Sequence, residues 1–108
     1  MGMNGNLNDV AVANNETAQR YEARVDGQLA VITYQQLGDR IVFMHTEVPE
    51  ALEGHGIAGK MAQFALDDAR ARRLVVIPQC PFVAGYIRRH PEYADLVPPG
   101  DRARLLTR

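Results

Sequence analysis

Cysteine is nearly absent from this chain, and the one present, Cys80, has no partner for an internal disulfide. Only three histidines occur, at no zinc-like spacing, so no structural metal is expected. No apolar run approaches the ~18 residues of a membrane-spanning helix, and no charged-then-apolar signal segment is found. The start, Met1 to Asn6, lacks the Ser or Thr of an acylation signal. The cytoplasm, without membrane contact, is the expected setting. Neither sign of charge dominates: 12 Lys and Arg stand against 13 Asp and Glu, which gives no electrostatic footprint for nucleic acid. A small ligand is the expected partner. What is present is a chain of 108 residues, 46% hydrophobic, enough for one domain with a single core that buries about two thirds of its unfolded surface.

Residues 1–15 are rich in Asn and Gly and poor in large apolar side chains, so a mobile tail is expected there. The folded domain is expected over residues 16–97. Ala18 to Val25 and Gln28 to Gln36 alternate β-branched and aromatic residues around Asp26-Gly27, a two-residue hairpin signal. Leu37-Gly38-Asp39 makes the next turn, and Arg40 to Val48 reads as a third strand. Period-two alternation puts Ile41, Phe43, His45 and Glu47 on one face of that strand, with His45 beside Glu47. From about His55 to Arg73 an apolar stripe of Ile57, Met61, Phe64, Ala65 and Ala69 predicts an amphipathic helix. Leu74 to Pro78 is wholly apolar, as expected of a strand covered on both faces and reached by a helical crossover, hence parallel to the third strand. Pro81 is placed to open a second helix, with Val83, Tyr86, Ile87 and His90 on one face and Pro91 as terminator. Residues 98–108 are expected to be loose. The fold class is α/β: a three-stranded antiparallel meander followed by helix, parallel strand, helix.

Strand-like alternation gives way to helical periodicity through Gly54, His55, Gly56, Ile57, Ala58, Gly59 and Lys60. Glycines there admit backbone conformations that a Cβ forbids and let a ligand come close. Unpaired N–H groups at a helix start favour bound anions, so the stretch reads as a phosphate cradle; the alternative is a flexible loop at a helix start. Three patterns overlap. Gly54, Gly56 and Gly59 match a dinucleotide fingerprint, but Pro49 to Glu53 separate it from the strand, and no acid ends the next strand. Gly54 to Lys60 matches a P-loop, but Met61 stands where a Ser or Thr must hold magnesium. Glu53 to Ala58 matches Q/R-x-x-G-x-G/A except in its first residue, and that pattern suggests coenzyme A.

The order of elements, this loop, and Ala84-Gly-Tyr86-Ile-Arg-Arg-His90-Pro-Glu-Tyr93 together resemble the GNAT superfamily of acetyl-CoA-dependent N-acetyltransferases. More narrowly, His45-Thr-Glu-Val-Pro49, the glycine loop and Cys80-Pro-Phe-Val83 through Tyr93 are similar to a family of very small stand-alone GNAT-like proteins, over about Arg20 to Val97. The resemblance implies a small N-acetyltransferase with acetyl-CoA as co-substrate, an amine as acceptor and no metal. Thr46 to Val48 would pair their backbone with the pantetheine arm, and Gly54 to Lys60 would hold the pyrophosphate. Glu53 departs from the usual Gln or Arg and brings a carboxylate near the phosphates. The N-terminal helices and final strands of larger members are missing. A non-catalytic coenzyme-binding or interaction module, and a nucleotide-binding protein, are the rival readings.

N-acetyl transfer needs a neutral amine, a polarised carbonyl and a proton for the departing thiolate. Glu47 or His45 is the candidate relay for the amine proton, unless the pair is simply solvated. The backbone N–H near Val48 is the candidate for polarising the carbonyl. Tyr86 resembles the thiol-protonating tyrosine of the superfamily; the alternative is a core tyrosine with its hydroxyl bonded. Cys80 precedes Pro81 at a helix N-terminus, where the dipole favours thiolate, and follows a strand end, where parallel sheets bind ligands. It is either chemistry or buried filler. Arg89 and His90 are assigned to the helix C-terminus.

Overall fold

In the computed structural model, which describes residues 10–106, the hairpin at Asp26-Gly27 forms with both residues at positive φ (52° and 78°). That is the conformation a two-residue turn needs to match the twist of its strands. It joins β2 (Arg20–Val25) to β3 (Gln28–Leu37), and the turn at Gly38-Asp39 joins β3 to β4 (Arg40–Glu47). These three strands are the expected meander. After α1 (Ile57–Ala71) the chain returns as β5 (Val75–Pro78), parallel to β4, and continues into α2 (Pro81–Arg89). The fold class is therefore as the sequence implied.

Ordered structure passes both expected domain ends. Val12–Asn15 forms a strand, β1, antiparallel to β2, which makes a five-stranded sheet of order β1-β2-β3-β4-β5. It lies within the stretch expected to be a tail, of which residues 1–9 fall outside the described residues. A backbone ladder, a polar network and the packing of Val12 against the core hold it. Tyr34 donates its hydroxyl to Asn14 (2.6 Å), and Tyr21 donates to Asp68 on α1 (2.7 Å). Asp68 also accepts from Arg72 (3.2 Å). At the other end, Pro99–Leu106 is a helix, α3, where a loose segment was expected. Arg102 anchors it by donating to the carbonyls of Ala94 (2.9 Å) and Val97 (3.0 Å), and Leu105 is buried.

One face of the sheet carries the core. Tyr21, Ala23, Ala30, Ile32, Tyr34, Ile41, Phe43 and Val76 are buried there in register, against Ile57, Met61, Ala62, Ala65, Leu66 and Ala69 of α1 and Val83, Tyr86 and Ile87 of α2. Phe64, expected in the α1 stripe, lies at its edge, 39% exposed with its ring against Tyr21. β5 is not covered on both faces: Val76 is buried, but Val75, Ile77 and Pro78 are half-buried. Arg73 ends α1 in the left-handed region (φ 59°), with its N–H on the Arg70 carbonyl and that of Leu74 on Ala69. This double closure satisfies the last carbonyls and turns the chain directly into β5.

Candidate active site

β4 and β5 run together only as far as the pair Phe43↔Pro78. The Cys80 N–H then donates to the Phe43 carbonyl (2.8 Å), and Pro81 starts α2. Proline has no N–H to extend a ladder, and its fixed φ suits the first helical position. β4 continues on β3 alone, through Thr33↔His45, Ile32↔Thr46 and Val31↔Glu47. The two parallel strands therefore part at Phe43.

At that point Met44 has no partner, because Tyr34 pairs with Phe43 and Thr33 with His45. This one-residue bulge overturns the face assigned to His45 and Glu47, since an extra residue inverts the alternation beyond it. Ile41 and Phe43 stay on the helix side. Thr46, opposite Ile32, now joins them, with its Oγ1 3.1 Å from Cys80 Sγ. His45 and Glu47 point to the other side of the sheet. They do lie together, His45 Nε2 being 3.2 Å from Glu47 Oε2, and their side chains are 62% and 68% exposed. Cys80 is 2% exposed at the start of α2 and belongs to the core.

The glycine loop follows a short 3-10 turn, Glu50–Leu52, pinned by the buried Leu52. Gly54 and Gly56 have φ of 84° and 75°, and Gly56 caps α1 without any side-chain bond. Because Lys60 is the first to bond back, to the Gly56 carbonyl (3.1 Å), the amides of Ile57, Ala58 and Gly59 are the first-turn donors that a helix leaves unused. They border a groove of about 370 Å³ lined by Val48, Leu52 and Phe82 on its apolar side, by glycine-loop backbone, and by the charged Glu53 and Arg89. Ile57 has its side chain in the core, so only its backbone serves this groove. His55 is exposed and not part of the lining. Lys60 lines a different groove, with Val10 to Val12, Gln63, Phe64 and Asp67. It directly precedes the buried Met61, and about 100° of helical turn per residue carries it toward β1.

Tyr86 is buried on α2, and a Cβ at Gly59 would lie 3.9 Å from its ring, so α2 packs against the first turn of α1. His90 stacks on the same ring with centroids 4.1 Å apart. The hydroxyls of Tyr21, Tyr34 and Tyr93 all donate to side chains, the last to Asp67 (2.8 Å). Tyr86 makes no such bond among the described residues. Burial, with help from Glu92 and Asp67, raises its pKa, so its hydroxyl keeps its proton at neutral pH. Cys80 and Tyr86 are six residues apart on one helix, roughly 9 Å along its axis. Arg89 and Phe82 enter the site only in the folded chain, although their spacing about Tyr86 on α2 places all three on neighbouring helical rows.

A mixed sheet that opens between two parallel strands, beside an uncapped glycine-led helix, defines a GNAT-like α/β protein. The profile of the GCN5-related N-acetyl-transferase family matches residues 20–96, and the chain belongs to that family. Among its relatives, the protein named NATD1 of Mus musculus is 32% identical over 95 residues, 83% of this chain and 86% of the relative. NATD1 of Homo sapiens is 32% identical over 95 residues (83% and 84%). That of Gallus gallus is 33% identical over 85 residues (76% and 77%).

Proposed function

We propose that the chain binds acetyl-CoA and transfers its acetyl group to an amine. The observation that carries this is the continuity of one groove from Val48 at the end of β4, past Phe82 on α2, to the uncapped amides of α1. The lining fits the coenzyme: apolar side chains suit an alkyl arm, and two glycines without Cβ and free amides suit its phosphates. When bound, acetyl-CoA supplies an acetyl group on a thioester, which an amine takes as the thiol leaves.

In this reading the edge of β4 from Thr46 to Val48 aligns the pantetheine arm by backbone bonds, and the Val48 N–H polarises the carbonyl. The amides of Ile57, Ala58 and Gly59 hold the pyrophosphate. Tyr86 gives its proton to the departing sulfur; its buried ring and a hydroxyl without a partner among the described residues support this. Glu47, paired with His45, takes the amine proton on the open side of the sheet. Cys80 lies behind Thr46 and does not carry the acetyl group, as its burial in the core favours.

Calorimetric titration with acetyl-CoA, followed by thiol release with a panel of amines, tests the proposal. Binding with release is expected. Binding without release for any amine would favour a non-catalytic coenzyme-binding module, a reading to which the solvent exposure of His45 and Glu47 lends some weight. Tighter binding of ATP or NAD than of acetyl-CoA would reject both.

A further inference from the structure

Two charged side chains line the groove, and they have opposite sign: Glu53 and Arg89. Lys60, to which the loop sequence assigns the phosphate charge, borders the other groove with Asp67. The loop therefore offers a diphosphate neutral amides and one carboxylate, and Arg89 is the cation that shares its groove.

Arg89 is also uncommitted. The other arginines with contacts in the fold serve partners: Arg20 binds Glu22, Arg70 binds Asp95, Arg72 binds Asp68, and Arg102 binds carbonyls. The Arg89 guanidinium makes no hydrogen bond or ion pair among the described residues. It folds back along α2 over Gly85, where a Cβ would stand 3.4 Å from its Nη1 and 3.5 Å from Nη2 of Arg88; of the two, Arg89 is the one that lines the groove. Side chains on a helix lean toward its N-terminus, so the absent side chain at Gly85 keeps this path open. The consequence is a planar, permanently charged donor, exposed to solvent in the groove that the glycine loop borders and without a protein acceptor among the described residues.

We propose that Arg89 is the phosphate-binding cation of this site, that it pairs with the pyrophosphate held at Gly54 to Gly59, and that it offsets the carboxylate of Glu53. The proposal rests on the coenzyme-binding reading above and adds to it the residue that supplies the charge. Because Arg89 makes no hydrogen bond or ion pair among the described residues, its replacement should leave the unliganded protein intact.

The test is calorimetry with CoA and with dephospho-CoA on the intact chain and on Arg89→Gln, with Arg88→Gln as charge-matched control. Arg88 neighbours it in sequence and is exposed as Arg89 is, but does not line the groove. Charge-assisted hydrogen bonds of this kind correspond to a loss of at least about tenfold in affinity. Arg89→Gln should show that loss for both ligands, with an unchanged melting temperature without ligand and a shallower dependence of affinity on salt. Arg88→Gln should bind as the parent does. A parent that binds CoA while Arg89→Gln binds it equally well overturns the proposal and leaves the coenzyme reading intact. A loss that vanishes with dephospho-CoA also overturns it, because the contact would then be to the ribose phosphate. A parent that binds neither ligand defeats the coenzyme reading itself, and this proposal with it.

Discussion

Gly56→Glu probes the link between the loop and its ligand most directly. Gly56 caps α1 at φ 75°, and a Cβ there meets nothing within 4 Å, so the substitution adds backbone strain without a clash. A left-handed conformation costs a non-glycine residue about 1–2 kcal/mol, within a total stability of about 5–15 kcal/mol. The variant should therefore fold, with a melting temperature lower by roughly 5–10 °C. Its carboxylate stands beside the amides of Ile57, Ala58 and Gly59. Two unit charges about 4 Å apart repel by about 4 kcal/mol at an effective dielectric constant near 20; with exposure and salt, about 2 kcal/mol remains, which is about thirtyfold in affinity per phosphate charge opposed. Gly56→Ala separates the two effects, since it carries the same strain and no charge. Titration calorimetry and thermal melts on both variants should show equal losses of stability and a large loss of acetyl-CoA affinity for Gly56→Glu alone. A folded Gly56→Glu that binds as the parent does would refute the assignment of the loop.

Tyr86→Phe should lower turnover by about a hundredfold or more while leaving acetyl-CoA affinity nearly intact; an unchanged rate with a reactive amine would return Tyr86 to the core. Cys80 should react slowly with a thiol-alkylating reagent whether or not acetyl-CoA is present, and faster as urea opens the fold, because its sulfur is covered by the core and by Thr46; rapid alkylation of the native chain would show that it is not covered. Burial raises the pKa of Tyr21, Tyr34, Tyr86 and Tyr93 above the ordinary value of 10.0. Their contribution to stability should thus be fully present below about pH 10 and be lost above it, as the unfolded chain ionises first. Urea midpoints measured from pH 8 to 11 should fall less steeply for Tyr21→Phe than for the parent, and parallel curves would remove Tyr21 as a cause. Asp95 has its pKa lowered chiefly by its bond to Arg70, so its contribution is present above its ordinary 3.8 and lost below; Asp95→Asn should flatten the acid limb of the same plot, and an unaltered limb would show the exposed pair to be without effect.

Local chemistry made much of this fold legible in the chain itself. Asp26-Gly27 admits few conformations besides a tight hairpin, Gly54 and Gly56 mark positive φ, and Pro81 and Pro91 bound a helix because a pyrrolidine ring fixes φ and removes a donor. The apolar stripe from Ile57 to Ala69 located α1, and the all-apolar Val75–Pro78 located the parallel strand. Only tertiary structure decided the rest. The bulge at Met44 turns Thr46 toward Cys80 and sends His45 and Glu47 to the far face, because a period-two reading assumes a pleat without insertions. β1 and α3 are held by Asn14, Tyr34, Arg102 and Leu105, whose partners are distant in sequence or are backbone carbonyls that carry no residue signature. Lys60 lines the groove beside β1 and Arg89 the one beside the glycine loop for the same reason: which side of a helix faces a groove is set by what the helix packs against.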